Sequence, residues 1–194
     1  MSETIEAIIE SEIKMERQII GYLEGIRMPA LRKALLKLYN DVEEKLKNNP
    51  ASIKFHHAYK GGLYDHTLEV IEIALNIFET YKEIFIRDVR RDDVVLVAFA
   101  HDLDKLDKYR KNTNQATLFY GQEFEYNYDK VSVNSTSETV SILMQYGIKM
   151  TDEILNSLTF SHGGWSVDRG KLLPLATILH AADMISIATE RRIK

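Results

Sequence analysis

The sequence predicts an all-α protein, and three observations predict it. Apolar residues recur at three- and four-residue steps along nearly the whole chain, the repeat of a helix with one buried face. Helix breakers such as Gly25, Pro29 and Asn49-Pro50 fall between the periodic runs. Strand-like alternation is confined to one segment, where Phe119, Phe124, Tyr126 and Tyr128 alternate with polar residues. At 194 residues and 45% hydrophobic content, the chain suits one domain with a filled core.

Ile5, Ile8, Ile9, Ile13, Ile19, Ile20 and Leu23 give a helical stripe over 3–26, which Gly25 and Pro29 close. A second helix runs from about Pro29 to Lys47 with Leu31, Leu35, Leu36, Leu38 and Tyr39 inward. It stops at Asn49, because a residue before proline avoids the helical region. The stretch Phe55-His56-His57-Ala58-Tyr59-Lys60-Gly61-Gly62 is a loop or turn. A third helix covers roughly 63–82, and a fourth, with Asp92 as N-cap, runs through Leu96, Ala98 and Phe99 into His101-Asp102. Asn112, Asn114 and Gly121 break the pattern, so 112–130 is expected to be a loop insert with a short hairpin. A fifth helix starts near 135–137, and Thr151 caps a sixth with Asp152 and Glu153 in its first turn. A further loop holds His162-Gly163-Gly164-Trp165-Ser166, and Pro174 opens a last helix reaching about 190.

Composition narrows the function. There is no cysteine, hence no disulfide framework and no thiolate metal site. The N-terminus carries no signal-peptide pattern and no window is long and apolar enough for a membrane span, so a cytoplasmic protein without a membrane partner is expected. A net charge of −4 with scattered basic residues argues against an extended nucleic-acid surface, though not against a small nucleotide. The six histidines are the strongest chemical signal. His66 lies in Gly-Gly-Leu-Tyr-Asp-His-Thr, His101 directly precedes Asp102, and His180 stands three residues before Asp183 on one helix face. Neutral imidazole and carboxylate suit divalent transition metals, and an ion held this way can polarise a phosphate and activate water.

In this order, on a helical background, the residues resemble the HD-domain superfamily of metal-dependent phosphohydrolases. The pattern covers about 54–190 as a first His, a His-Asp pair at a helix end and a late Asp. The segment His57-Ala58-Tyr59-Lys60-Gly61-Gly62-Leu63 with Asp65-His66-Thr67, and the ending Leu179-His180-Ala181-Ala182-Asp183, are similar to the HD domain of bacterial 3′→5′ exoribonucleases. The region from His101 to Gly164 is similar to small stand-alone HD hydrolases of phages and Firmicutes. The resemblance implies a single HD-domain helical bundle, with N-terminal helices over 1–50 and a metal-binding core over 51–190. It implies His66, His101, Asp102 and Asp183 as ligands of one divalent transition ion: Mn, Co, Ni, Fe or Zn, with Mg open.

Two departures stand out. Asp104 replaces the family's usual glycine in His101-Asp102-Leu103-Asp104-Lys105, and either faces solvent or backs the site. No histidine stands just before Glu138, where Ser135, Thr136 and Ser137 lie, and none falls between 101 and 162, so a second ion is expected to be weak or absent. The remaining residues keep two readings each. Lys105 is a phosphate contact or a solvated lysine, and the loop residues His57 and Lys60 are phosphate contacts or loop packing. His56 caps or packs. His162 serves a second ion or the substrate, and His180 does the same or is a core histidine. Trp165 stacks on a base or closes the core. The expected partner is a small phosphorylated molecule, with homo-oligomer contacts open. The leading function is hydrolysis of a nucleotide, a deoxynucleoside mono- or triphosphate. The alternatives are a 3′→5′ exonuclease on single strands and a non-catalytic module in which the metal is a structural staple.

Overall fold

The computed structural model describes residues 18–85, 89–162 and 171–190. Among these the helices are α1 (Ile19–Glu24), α2 (Pro29–Asn48), α3 (Gly62–Phe85), α4 (Arg91–Ala100), α5 (Gln115–Phe119), α6 (Ser135–Gln145), α7 (Asp152–Phe160) and α8 (Pro174–Glu190). A 3-10 turn spans Leu103–Asp107, and two short strands, β1 (Tyr109–Lys111) and β2 (Phe124–Tyr126), pair antiparallel with Tyr109 opposite Tyr126. The all-α expectation therefore holds; of the hairpin, β2 lies within the expected 112–130 insert, while β1 precedes it and Phe119 belongs to α5. The first expected helix lies outside the described residues up to residue 17.

α4 is the centre. Every residue from Asp92 to Ala100 is buried, and the helix is walled by α3, α7 and α8. Such all-round burial explains why its apolar pattern, Val94 to Phe99, is nearly continuous. α3 packs along both α4 and α8, and α2 lies on α3. Tyr39 of α2 meets Phe99 of α4 with ring centroids 6.3 Å apart.

Two expectations need correction. Asp92 is not the N-cap of α4; Arg90 holds that position. The Asp92 carboxylate instead accepts the backbone N–H groups of Arg27 (3.0 Å) and Met28 (2.9 Å), tying the α1–α2 turn to α4. The insert is also more ordered than a loop. α5 stands between the two strands, started by Asn114, whose side chain accepts the Ala116 N–H. Asn112 secures the insert by donating to Thr117 Oγ1 and to the Gln122 carbonyl. Thr151 does cap α7, accepting the Ile154 N–H at 3.3 Å.

Candidate metal centre

Three helices bring four side chains to one buried point. His66 sits in the second turn of α3, His101 is the C-cap of α4 with Asp102 next to it, and Asp183 lies midway along α8. His66 Nε2 is 3.2 Å from His101 Nε2, 3.3 Å from Asp102 Oδ2 and 3.2 Å from Asp183 Oδ1. His101 Nε2 is 3.4 Å from Asp102 Oδ2 and 4.0 Å from Asp183 Oδ1. All four residues are buried.

The hydrogen bonds on the far side of each ring say which nitrogen faces inward. His101 Nδ1 meets the Ala98 carbonyl at 2.8 Å, an oxygen that can only accept, so Nδ1 carries the proton and Nε2 presents a lone pair. His66 Nδ1 meets Ser186 Oγ at 3.0 Å. If that nitrogen is likewise the donor, two lone pairs face each other at 3.2 Å beside two carboxylates. Only a cation resolves such an arrangement, either a proton on His66 or a metal ion. The separations suit an ion: bonds of about 2.0–2.2 Å place neighbouring donors roughly 3 Å apart or slightly more. Asp102 Oδ1 and Asp183 Oδ1 are buried with no hydrogen-bond partner among the described residues, a costly state for carboxylates unless something else neutralises them.

Electrostatics follow from this crowding. Burial alone would raise the Asp102 carboxyl, but Lys105, His101 and His66 hold it well below the usual carboxylate range. Burial is likewise overcome at Asp183 by the neighbouring imidazoles of His162 and His66, which hold it below that range. Burial opposes a charge on His66, yet its bonds to Asp102 and Asp183 raise its pKa. For His101, burial dominates and lowers it.

Around this centre the predicted residues divide. Lys105 Nζ lies 2.7 Å from Asp102 Oδ2. His162 bridges the open side, with Nδ1 3.4 Å from Asp183 Oδ2, Nε2 3.7 Å from Asp102 Oδ1 and its side chain 48% exposed. His56 stacks against His66 with centroids 4.9 Å apart, and burial pushes its pKa down to about 3. His57 is buried and its Nε2 lies 3.2 Å from Glu69 Oε2. Its backbone is left-handed, φ 47°, and Gly62 packs so closely beneath it that a Cβ there would lie 2.0 Å from the His57 carbonyl oxygen. Asp104 does not face solvent; it is buried, with Oδ2 3.0 Å from Lys108 Nζ. His180 turns Nδ1 to the Ser161 carbonyl at 3.0 Å. Lys60 lines a groove of about 490 Å³ with Asn48, Lys111, Asn112 and Phe124, beside the insert. Trp165 lies outside the described residues. Sequence reading missed Glu69 and Ser186, although each stands three residues after a proposed ligand, His66 and Asp183, on the same helix face.

The chain matches the HD domain family over residues 63–188, more than half of its length. A second family, described as "Putative helicase", matches the shorter stretch 23–86, which holds the first histidine motif. Among curated proteins, the chain is similar to a dihydroneopterin 2′,3′-cyclic phosphate phosphodiesterase of Methanocaldococcus jannaschii, 28% identical over 87% of this chain and 67% of the relative. It is also similar to the 3′-5′ exoribonuclease YhaM of Listeria monocytogenes, 23% identical over 95% of this chain, and to that of a Geobacillus species, 23% identical over 94%. The chain spans 57% and 55% of those two relatives' lengths. No solved structure matches. With the match spanning α3 to α8, the chain belongs to the HD-domain superfamily of metal-dependent phosphohydrolases.

Proposed function

We propose that this chain hydrolyses a phosphate bond of a nucleotide-class small molecule, a deoxynucleoside mono- or triphosphate or a cyclic phosphodiester, at a divalent transition-metal centre held by His66, His101, Asp102 and Asp183. One observation carries the reading: the buried donors of His66, His101 and Asp102 lie within reach of one ion, Asp183 Oδ1 stands 3.2 Å from His66 Nε2 beside them, and Asp102 Oδ1 is buried without a hydrogen-bond partner among the described residues. Bound there, an ion would supply Lewis-acid polarisation of a phosphate oxygen and an activated water. The chain's own residues do the rest. Lys105, already at the rim on Asp102, offers a point charge to a phosphate oxygen. The hydrogen bond to Asp183 raises the His162 pKa, and this half-exposed ring stands on the open side, where a leaving oxygen would need a proton donor. The absence of a histidine just before Glu138 supports a weak second ion; Glu138 pairs instead with Lys130. The similarity to a cyclic phosphodiesterase supports including cyclic diesters among the substrates.

A 3′→5′ exonuclease is the second reading. It is favoured by exposed Tyr120, which lines a groove with Lys54, because solvent-facing aromatics beside cations suit single strands. The test is turnover of dATP, dGTP, the monophosphates, a 2′,3′-cyclic nucleotide and a short single-stranded RNA with Mn²⁺, Co²⁺ or Ni²⁺. Mononucleotide hydrolysis is expected; degradation of RNA alone, from its 3′ end, would establish the nuclease reading instead. Lys105→Ala should lower turnover on the order of 10²–10³-fold while the metal stays bound, since an ammonium has no lone pair to coordinate. No turnover with any metal, with the ion still bound, would leave a metal-stapled binding module.

A further inference from the structure

We infer that Glu69 and Ser186 form a hydrogen-bonded support that fixes which nitrogen of His66 faces the metal centre, and so sets how tightly the centre holds its ion. The inference rests on the metal-binding reading above and assigns roles to two residues outside the ligand set. Ser186 Oγ lies 3.0 Å from His66 Nδ1 on one side and 2.6 Å from Glu69 Oε2 on the other. Burial opposes ionisation of Glu69, but its hydrogen bonds from His57 and Ser186 lower its pKa, and an ionised carboxylate can only accept. The single hydroxyl proton of Ser186 must therefore point at Glu69. Its lone pair is then what His66 meets, so Nδ1 must be the donor. The direction of the chain, His66 to Ser186 to Glu69, leaves the Nε2 lone pair facing Asp102, Asp183 and His101.

The support is built from the helices that carry the ligands. Glu69 is one turn beyond His66 on α3, and Ser186 is one turn beyond Asp183 on α8. Packing α3 along α8 thus makes the ligand pair and its support in one step. Ser186 is fully buried, whereas the Glu69 side chain is 42% exposed and needs a tether. His57 provides it: its Nε2–H reaches the same Oε2 at 3.2 Å, held there by the left-handed backbone over Gly62. Groups that orient a ligating imidazole through its second nitrogen typically change metal affinity 10–100-fold when removed.

The experiment measures Co²⁺ and Mn²⁺ affinity by calorimetric competition for wild type, Ser186→Ala, Ser186→Thr and Glu69→Gln. Each apo protein's melting temperature serves as the folding control. Ser186→Ala and Glu69→Gln should bind roughly 10–100-fold more weakly. In Glu69→Gln an amide N–H can reverse the chain and put the His66 proton on Nε2. Ser186→Thr keeps the hydroxyl and should restore affinity close to wild type. Nitrogen–proton NMR of the apo protein at alkaline pH should show the Nδ1–H form of His66 in wild type and in Ser186→Thr, and a mixture of both forms in Ser186→Ala. Ser186→Ala and Glu69→Gln proteins that fold and bind within twofold of a metal-binding wild type would overturn the support while leaving the metal site standing. A wild type that takes no ion would overturn the metal reading, and this inference with it. Should Ser186→Ala not fold, Glu69→Gln, altered at a half-exposed position, decides alone.

Discussion

Asp102 is the residue on which the centre turns. One oxygen, Oδ2, lies near His66 and His101 and on Lys105, while Oδ1 is buried without a partner among the described residues. Asp102→Ala should abolish stoichiometric metal, measured by elemental analysis, and reduce turnover to background. Retained metal in that variant would refute the assignment. Metal uptake should also be coupled to protons. Carboxylate neighbours raise the pKa of His66, and a ligating imidazole nitrogen must be free of its proton. Affinity should fall as pH drops through that raised pKa and level off above it. Calorimetry in buffers of different ionisation enthalpy should show proton release on binding that grows as the pH is lowered. His56 carries the opposite sign. Its pKa is pushed down to about 3, so its contribution to stability is complete above the ordinary histidine value, about 6.5, and is lost as pH falls toward 3. His56→Gln should therefore flatten part of the acid limb of the unfolding curve.

At the scale of elements, the site depends on joints rather than on helix interiors. The joint between α1, α2 and α4 is the Asp92 carboxylate, buried and holding two backbone N–H groups. Asp92→Ala leaves those donors unpaired and should cost about 1–3 kcal/mol in urea unfolding. The joint ahead of α3 is Gly62, where any Cβ collides with the His57 carbonyl. Gly62→Ala should cost on the order of 1–3 kcal/mol and weaken metal binding, because His57 must leave Glu69 when the loop moves. A Gly62→Ala protein with unchanged stability and affinity would show that the close approach is not required.

For the molecule as a whole, the centre joins α3 and α4 to α8, which is distant from both in the chain. An ion there should act as a cross-brace on the native state alone. At a free concentration a hundred times its Kd it should add about 2.7 kcal/mol, and chelation should lower the melting temperature accordingly. Equal melting temperatures with and without chelator, in a protein shown to bind the ion, would mean that binding persists in the unfolded chain.

The helical class, the bounds of α2, the start of α7, the place of β2 and the order His66, His101-Asp102, Asp183 were legible in the sequence. Each rests on local physics: a 3.6-residue repeat, a proline or a capping side chain, or a family motif. Partners across the fold were not legible. Nothing local shows that Asp92 ties the 27–28 turn, or that Glu69 and Ser186 meet behind His66. Lys60 has the same kind of loop position as His57, yet one lines a groove by the insert and the other is buried on Glu69. The hydrophobic repeat says which face of a helix turns inward. Which buried polar groups then meet depends on how helices distant in sequence cross, and only their packing decides that.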